Sequence, residues 1–223
     1  YYLVMRFIEG PNLAELIQQR GKLQREEAVR ITAEVGEALT YAYSLNLAHG
    51  DVKPQNILIH PREGAVLTDF GLARIVEAGS LKGNRRMQGT PAYMAPELWD
   101  GLPANPASDQ YALACVLVEM LTGEVLFGAS TPMAALKRHT QPPNLPVEWQ
   151  QGIPTGLTLF LHKALAKDPI ERFASIAEFS AELQKIQADE IARLRAEAEK
   201  TKRKAEEEAR LKKEAEERAA AEA

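Results

Sequence analysis

Three short segments of this chain carry polar side chains of the types that can move a charged group. They read HGDVKPQN, DFG and GTPAYMAPE, at residues 49–56, 69–71 and 89–97. Asp51 supplies a carboxylate, Lys53 a cation and Asn56 an amide oxygen, while Asp69 adds a second carboxylate. Transfer of a phosphoryl group to a hydroxyl needs an acceptor that orients the attacking oxygen, a cation, and oxygen ligands for magnesium. The three segments therefore predict one concave site for this chemistry.

Each segment taken alone also has an ordinary structural interpretation. Asp51 and Asn56 are residue types that cap loops, and Asp69-Phe70-Gly71 is a plausible plain turn. The three segments occur in a fixed order with a predicted strand hairpin between the first two, which makes coincidence the weaker explanation. The combined pattern favours a functional site over three unrelated loops.

In this order the segments resemble the signature of the protein kinase family. The resemblance covers about residues 1–186, is to the bacterial serine/threonine branch, and implies a mainly α fold with a small β hairpin, the α+β large lobe of a kinase. Lys53 two residues after Asp51, together with Gly89-Thr90, is typical of the serine/threonine class. The resemblance implies ATP and Mg²⁺ as cofactors, and protein substrates that offer serine or threonine hydroxyls.

The resemblance assigns catalytic and metal-binding roles position by position. Asp51 is the implied base that aligns and deprotonates the substrate hydroxyl, and Lys53 balances charge on the transferring group. Asn56 and Asp69 are the implied magnesium ligands, and Thr90 is implied to bond within the catalytic site.

The N-terminal residues resemble the strand and hinge that border adenine in kinases. We expect residues 1–7 to form a strand, with Met5 as gatekeeper, Ile8 as a main-chain hydrogen-bonding residue and Leu58 as the floor of the adenine pocket. Kinases place a glycine-rich phosphate loop and a strand lysine ahead of this point, and these 223 residues contain no G-x-G-x-x-G. We expect the small N-terminal lobe to be absent and this chain alone to bind ATP poorly.

Further positions are implied to hold the site together. Glu97 and Arg172 resemble a buried ion pair of the family, with two unrelated surface charges as the alternative. Asp109 resembles the aspartate that bonds the catalytic-loop backbone, with a plain helix N-cap as its rival. His49 is expected to pack against Phe70 and to serve structure more than proton transfer.

Gly50 departs from the pattern, because many kinases have an arginine there that grips a phosphate on the activation loop. Between Gly71 and Ala95 the only serine and threonine are Ser80 and Thr90. We therefore predict that activity does not depend on phosphorylation of this segment.

The hydrophobic pattern predicts the elements that must position these residues. A capping-box pair, Asn12 and Glu15, starts a helix over 13–20. Apolar residues at helical spacing predict an amphipathic helix over 24–44, with these positions on its buried face: Ala28, Ile31, Val35, Ala38, Leu39, Ala42 and Leu45. Strands at 57–59 and 65–67 predict a hairpin that places Asn56 and Asp69 at its open end.

A second group of helices is predicted to complete the body. Residues 107–122 are apolar on most sides and stop at Gly123, which predicts a central buried helix with Cys115 as a small core residue. Further helices are expected at 131–139, 155–166 and 176–186.

Composition limits the remaining function classes. A net charge of −4 gives no basic footprint for nucleic acid, and no apolar stretch approaches the roughly 18 residues of a membrane helix. The visible segment is predicted to be cytoplasmic. Three lone histidines show no metal-like grouping and are expected to be surface or helix residues: His60, His139 and His162.

From about residue 187 the sequence becomes rich in Ala, Glu, Lys and Arg, so no core is expected there. A solvated helical tail or linker over 187–223 is favoured over a coiled coil that would mediate self-association. A membrane helix beyond Ala223 is a third possibility that these residues do not test. The sequence thus predicts a serine/threonine kinase domain over 1–186, with a pseudokinase-like scaffold as the alternative.

Overall fold

Helices dominate the part of the chain that the computed structural model describes, which comprises residues 5–70, 90–143, 145 and 153–221, with side chains described to residue 210. The elements run in this order: α1 (Leu13–Arg20), α2 (Arg25–Ser44), β1 (Ile57–His60), β2 (Gly64–Leu67), α3 (Pro96–Trp99), α4 (Pro106–Thr122), α5 (Pro132–His139), α6 (Thr155–Ala164) and α7 (Ile176–Ala221). Short 3-10 turns occur at Pro54–Asn56, Pro91–Tyr93 and Pro169–Glu171. This composition confirms the predicted mainly α fold with one small hairpin.

Helix α1 starts at the predicted capping box. The Asn12 side chain accepts the N–H of Glu15, and the Glu15 carboxylate accepts the N–H of Asn12, each at 3.0 Å. Helix α2 buries the predicted face, with Ile31, Val35 and Leu39 fully inaccessible. Leu45 is 53% exposed, so its predicted burial was wrong, because α2 ends at Ser44 and Leu45 leaves the helical register.

The hairpin forms with the predicted open end. Strands β1 and β2 are antiparallel, with Ile57 opposite Leu67 and His60 opposite Gly64. The Thr68 N–H continues the pairing to the Asn56 carbonyl at 2.8 Å. Asn56 and the residue before Asp69 therefore lie side by side.

Helix α4 is the central element of the body. Asn105 caps its N-terminus by accepting the N–H groups of Ala107 and Ser108, and Gly123 ends it in the left-handed conformation. Every residue from 108 to 121 is buried. Cys115 is 1% exposed, which confirms it as a core residue, and this burial raises the pKa of its thiol.

Residues 5–9 form no strand, so the described part of the N-terminal strand prediction was wrong, and residues 1–4 lie outside the described residues. Met5 is 60% exposed and Phe7 88% exposed. Pairing with the hairpin starts later, where the Pro11 carbonyl accepts the Ile59 N–H at 2.9 Å. A strand needs a hydrogen-bonding partner, and the described residues supply one only from Pro11 onward.

The C-terminal helix continues well past the predicted stop at residue 186. Contacts divide the chain into two units, Tyr1–Gln184 and Lys185–Ala223, and the second unit is the continuation of α7. No glycine or proline interrupts 176–221, and charge pairs four residues apart support the helix, including Arg193–Glu197 at 2.9 Å and Arg203–Glu199 at 2.6 Å. Residues 192–210 are exposed, as a solvated helix requires.

Within the described ranges, every helix is too short or too polar to cross a membrane.

Candidate active site

The carboxylate of Asp51 is the centre of a compact polar cluster. Its Oδ1 accepts the Thr90 N–H at 2.9 Å and the Thr90 hydroxyl at 3.1 Å. Lys53 Nζ lies 2.5 Å from Asp51 Oδ2 and donates to Thr90 Oγ1 at 2.9 Å. The structure therefore brings together three predicted site residues that the sequence separates by up to 39 positions.

Asn56 is oriented by the same loop. It ends the Pro54–Asn56 turn, and its Nδ2 donates to the Asp51 backbone carbonyl at 2.9 Å. Because the amide nitrogen is used in this bond, the side-chain oxygen is the atom that Asn56 offers to a cation. Asp69 follows the hairpin with φ +63°, a left-handed conformation that turns the chain directly after the paired Thr68.

This donor set suits magnesium. An amide oxygen and one carboxylate match the one or two protein ligands that Mg²⁺ usually takes beside phosphate oxygens. Across the described ranges, His, Cys, Asp and Glu residues form no group of three or more of the kind that holds a metal alone.

Asp109 fixes the backbone of the loop that carries Asp51. Its carboxylate accepts the N–H groups of His49 and Gly50, each at 2.8 Å, and the Tyr43 hydroxyl at 2.5 Å. The Asp109 side chain is 1% exposed, and burial raises its pKa. Asn105, not Asp109, caps α4, so the N-cap alternative for Asp109 was wrong.

His49 connects two of the motif segments. Its ring lies 4.7 Å from the Phe70 ring, centroid to centroid, as predicted. Its Nε2 lies 2.8 Å from the Thr68 carbonyl, and its Nδ1 accepts the Asp51 N–H at 3.2 Å. A carbonyl only accepts, so the proton is on Nε2 and both ring nitrogens are used in structural bonds.

The conformation of Gly50 gives a physical reason for the glycine. Its φ is +78°, and a Cβ at this position would lie 3.0 Å from the Cβ of Ala104. An L-residue with a side chain is strained in this region. The left-handed backbone at this position therefore favours glycine.

Comparison with known proteins places this chain in a family. Residues 1–185 match the family model for the protein kinase domain. The chain belongs to the protein kinase family. It is 37% identical over 195 residues to the serine/threonine-protein kinase PkaB of Streptomyces coelicolor, which is 82% of this chain and 45% of PkaB.

Two further bacterial relatives show the same extent of similarity. PknB of Mycobacterium leprae is 33% identical over 189 residues, covering 84% of this chain and 30% of PknB. PrkC of Bacillus subtilis is 32% identical over 185 residues, covering 82% and 28%. Both are named serine/threonine-protein kinases. The chain thus spans between about a quarter and a half of the length of these relatives.

The predicted ion pair of the kinase domain is present. Arg172 donates from two guanidinium nitrogens to the two oxygens of Glu97, at 2.7 and 2.8 Å, and their side chains are 0% and 6% exposed. Arg172 also donates to the carbonyls of Ala107 and Ala166, each at 2.9 Å. The alternative of two unrelated surface charges was wrong.

The residues predicted to border adenine differ in exposure. Met5 is largely exposed, whereas Ile8 and Leu58 are half-buried. Leu58 pairs with Asn12 through an isolated bridge. Their roles toward a nucleotide stay predictions, and Gly71 and Ser80 lie outside the described residues.

The sequence reasoning missed two buried polar groups near the kinase site. The Tyr93 hydroxyl donates to Glu119 at 2.6 Å, and burial raises the pKa of both groups. An acidic residue within the apolar run of α4 was the signal that could have revealed this pair. His139, predicted to be a surface or helix residue without chemistry, is 0% exposed at the end of α5, so the surface alternative was wrong.

Proposed function

We propose that this chain supplies the phosphate-transfer groups of an ATP-dependent protein kinase that acts on serine and threonine. The observation that carries this proposal is the joint bonding of Asp51 by Lys53 and Thr90. These bonds bring together the Asp51 carboxylate, the Lys53 ammonium and the Thr90 hydroxyl, of which the last comes from the segment before α3. This arrangement suits a reaction that depends on positioning and charge stabilisation.

In the proposed reaction, the hydroxyl oxygen of a substrate serine or threonine attacks the γ-phosphorus of ATP. The bond from that phosphorus to the oxygen bridging the β- and γ-phosphates breaks, and ADP leaves with that electron pair. The proton of the attacking hydroxyl passes to the Asp51 carboxylate. Lys53 stabilises negative charge on the transferring group, and the two bonds from Thr90 hold Asp51 in place.

Asn56 and Asp69 are the proposed ligands of Mg²⁺. The Asn56 amide nitrogen is held by the Asp51 carbonyl, which leaves its oxygen for the ion. When bound, Mg²⁺ neutralises charge on the phosphate oxygens. Loss of the Asp69 side chain is expected to weaken phosphate positioning, whereas loss of the Asn56 side chain also removes its hydrogen bond to the Asp51 carbonyl.

We further propose Met5, Ile8 and Leu58 as residues of the adenine side, within a kinase domain over 1–186 that is followed by a helical tail. The relatives named above are serine/threonine-protein kinases, and the position of Lys53 fits that class. A scaffold without catalysis is the second candidate, because Gly50 stands where many kinases have an arginine.

The proposal is tested by incubating the full-length protein with γ-labelled ATP, Mg²⁺ and a generic basic protein. We expect label on phosphoserine and phosphothreonine after acid hydrolysis of the product, and none on phosphotyrosine. Label that depends on Mg²⁺ supports the enzyme. Binding of ATP without any transfer supports the scaffold, and label on tyrosine contradicts the proposed acceptor class.

A further inference from the structure

His139 makes two hydrogen bonds that the proposed phosphate transfer does not use. Its Nε2 lies 2.8 Å from the Pro91 carbonyl, and its Nδ1 lies 2.9 Å from the Tyr111 hydroxyl. Pro91 directly follows Thr90, the residue that bonds Asp51. The buried His139 side chain is thus linked to the Asp51 carboxylate through the backbone of Pro91 and Thr90.

The partners of His139 fix its tautomer. A backbone carbonyl can only accept, so Nε2 carries the proton and donates to Pro91. The other nitrogen of a neutral ring then accepts, so the Tyr111 hydroxyl donates to Nδ1. Lys167 Nζ donates in turn to the Tyr111 oxygen at 3.3 Å. The three hydrogen bonds of this series are all donated in one direction, from Lys167 through Tyr111 and His139 to Pro91.

Aromatic rings hold the imidazole in this orientation. The ring centroids of Phe127, Tyr111 and Trp99 lie 4.2, 5.7 and 6.3 Å from that of His139. Burial and the neighbouring Lys167 lower the pKa of His139 to about 4, so the ring is neutral at physiological pH. A neutral, enclosed ring keeps one donor aimed at one carbonyl.

The backbone at Pro91 depends on that donor. Proline has no N–H, so its carbonyl is the one backbone group through which residue 91 can be held. On the other side, the N–H and hydroxyl of Thr90 are bound by Asp51. The dipeptide Thr90-Pro91 is therefore fixed at both ends, by Asp51 and by His139.

We propose that His139 is a positioning residue for the phosphoacceptor, which fixes Thr90-Pro91 through its Nε2–H and so sets the side of Asp51 where the acceptor hydroxyl binds. This inference rests on the proposed function. It assigns to α5 an indirect part in acceptor binding, through the backbone of Thr90-Pro91 and without contact to ATP. Tyr111 and Lys167 act through His139 by holding its tautomer.

The test compares His139→Gln and His139→Leu in the full-length protein. The glutamine amide nitrogen reaches about the position of Nε2 and keeps a donor toward Pro91, whereas leucine fills the space without one. His162→Gln, at an exposed position of α6, is the matched control. Thermal unfolding of each variant shows that the protein compared is folded.

We expect His139→Leu to raise KM for a peptide acceptor about tenfold, because small displacements of a positioned group have large effects on rate. The KM for ATP and the slow hydrolysis of ATP by water should change less than about twofold, since neither uses the acceptor site. His139→Gln should restore most of the acceptor KM. Equal effects of both variants, or an equal change in ATP hydrolysis, would overturn the inference.

Nitrogen NMR of the four histidines tests the same point without catalysis. The His139 signals, assigned by their loss in His139→Gln, should show the Nε2–H tautomer and no titration above about pH 5. An Nδ1–H tautomer or ordinary titration overturns the inference. If the wild-type protein hydrolyses ATP but phosphorylates no acceptor, the proposed function fails instead, even where this tautomer is found.

Discussion

The carboxylate of Asp109 accepts a hydrogen bond from the backbone N–H of Gly50 at 2.8 Å. Its second oxygen accepts the N–H of His49 at the same distance. A buried carboxylate in the central helix thereby sets the backbone conformation immediately before Asp51. The backbone before Asp51 is therefore held by Asp109 of α4, and the Asp51 carboxylate is held by Thr90.

Substitution of Asp109 tests this backbone support. In Asp109→Asn the new NH₂ group must face one of the two loop N–H groups, which leaves a buried donor unpaired at a cost of about 1–3 kcal/mol. We expect phosphate transfer to fall at least about tenfold while the helical circular dichroism is kept. Asp100→Asn, at an exposed position, is the control. Unchanged transfer in Asp109→Asn would show that the loop holds its shape without this carboxylate.

The Glu97–Arg172 pair is predicted to stabilise the fold rather than to take part in transfer. Glu97→Gln leaves the buried guanidinium without its carboxylate, and breaking such a pair typically costs about 3–5 kcal/mol. Urea unfolding measures this loss. The more exposed pair Arg20–Glu27, with side chains 54% and 27% exposed, is the comparison, since Glu27→Gln should cost less than about 1 kcal/mol. Similar losses in the two variants would contradict the difference in burial.

Activity is predicted to be independent of phosphorylation at Ser80, because Gly50 offers no cation to grip a phosphate. We expect Ser80→Ala to transfer phosphate at the wild-type rate. A large loss of transfer rate in Ser80→Ala would contradict this prediction.

Substitution of Gly50 by arginine tests the backbone conformation of this loop. The left-handed conformation at Gly50 is expected to make Gly50→Arg less stable by about 1–2 kcal/mol. Melting temperature and transfer rate, with and without phosphatase treatment, measure the two effects. Gly50→Ala carries the same backbone strain without a charge and separates the two causes.

Local signals made much of this fold predictable from sequence. Asn12 and Glu15 make the predicted capping box, and the hairpin lies where the strand pattern placed it. The family resemblance also predicted pairs that are distant in the sequence, such as Glu97 and Arg172, which local sequence patterns cannot identify. The helix predicted over 176–186 and the solvated helix or linker predicted over 187–223 are joined in one helix, α7, because neither glycine nor proline ends the helix at their boundary.

Burial that depends on residues from other elements could not be predicted from the sequence. His139 lies in a polar stretch of α5 beside Lys137 and Arg138, so the pattern gave no sign that it faces the core. Its burial depends on rings contributed by Trp99, Tyr111 and Phe127, which are distant along the chain. The strand predicted at residues 5–7 failed for the converse reason, because an apolar run near the N-terminus looks like a strand whether or not a partner strand is present.

The pKa of His139 predicts a pH dependence of stability. Folding lowers this pKa from 6.5 to about 4, so the unfolded state binds the proton more readily between these values. The free energy of unfolding should therefore fall as pH drops from about 6.5 to 4, by up to about 3 kcal/mol. Urea unfolding at several pH values measures the slope. His139→Gln should flatten it in this window, and an unchanged slope would assign the dependence to other groups.

The role of Asp51 is the central claim, and phosphate transfer from labelled ATP by full-length Asp51→Asn tests it most directly. Asparagine keeps the size of the side chain but cannot take the hydroxyl proton. We predict at least about a hundredfold loss of transfer with ATP binding retained, while the exposed control Asp100→Asn transfers at the wild-type rate. Transfer by Asp51→Asn at close to the wild-type rate would contradict the assignment of Asp51 as the base.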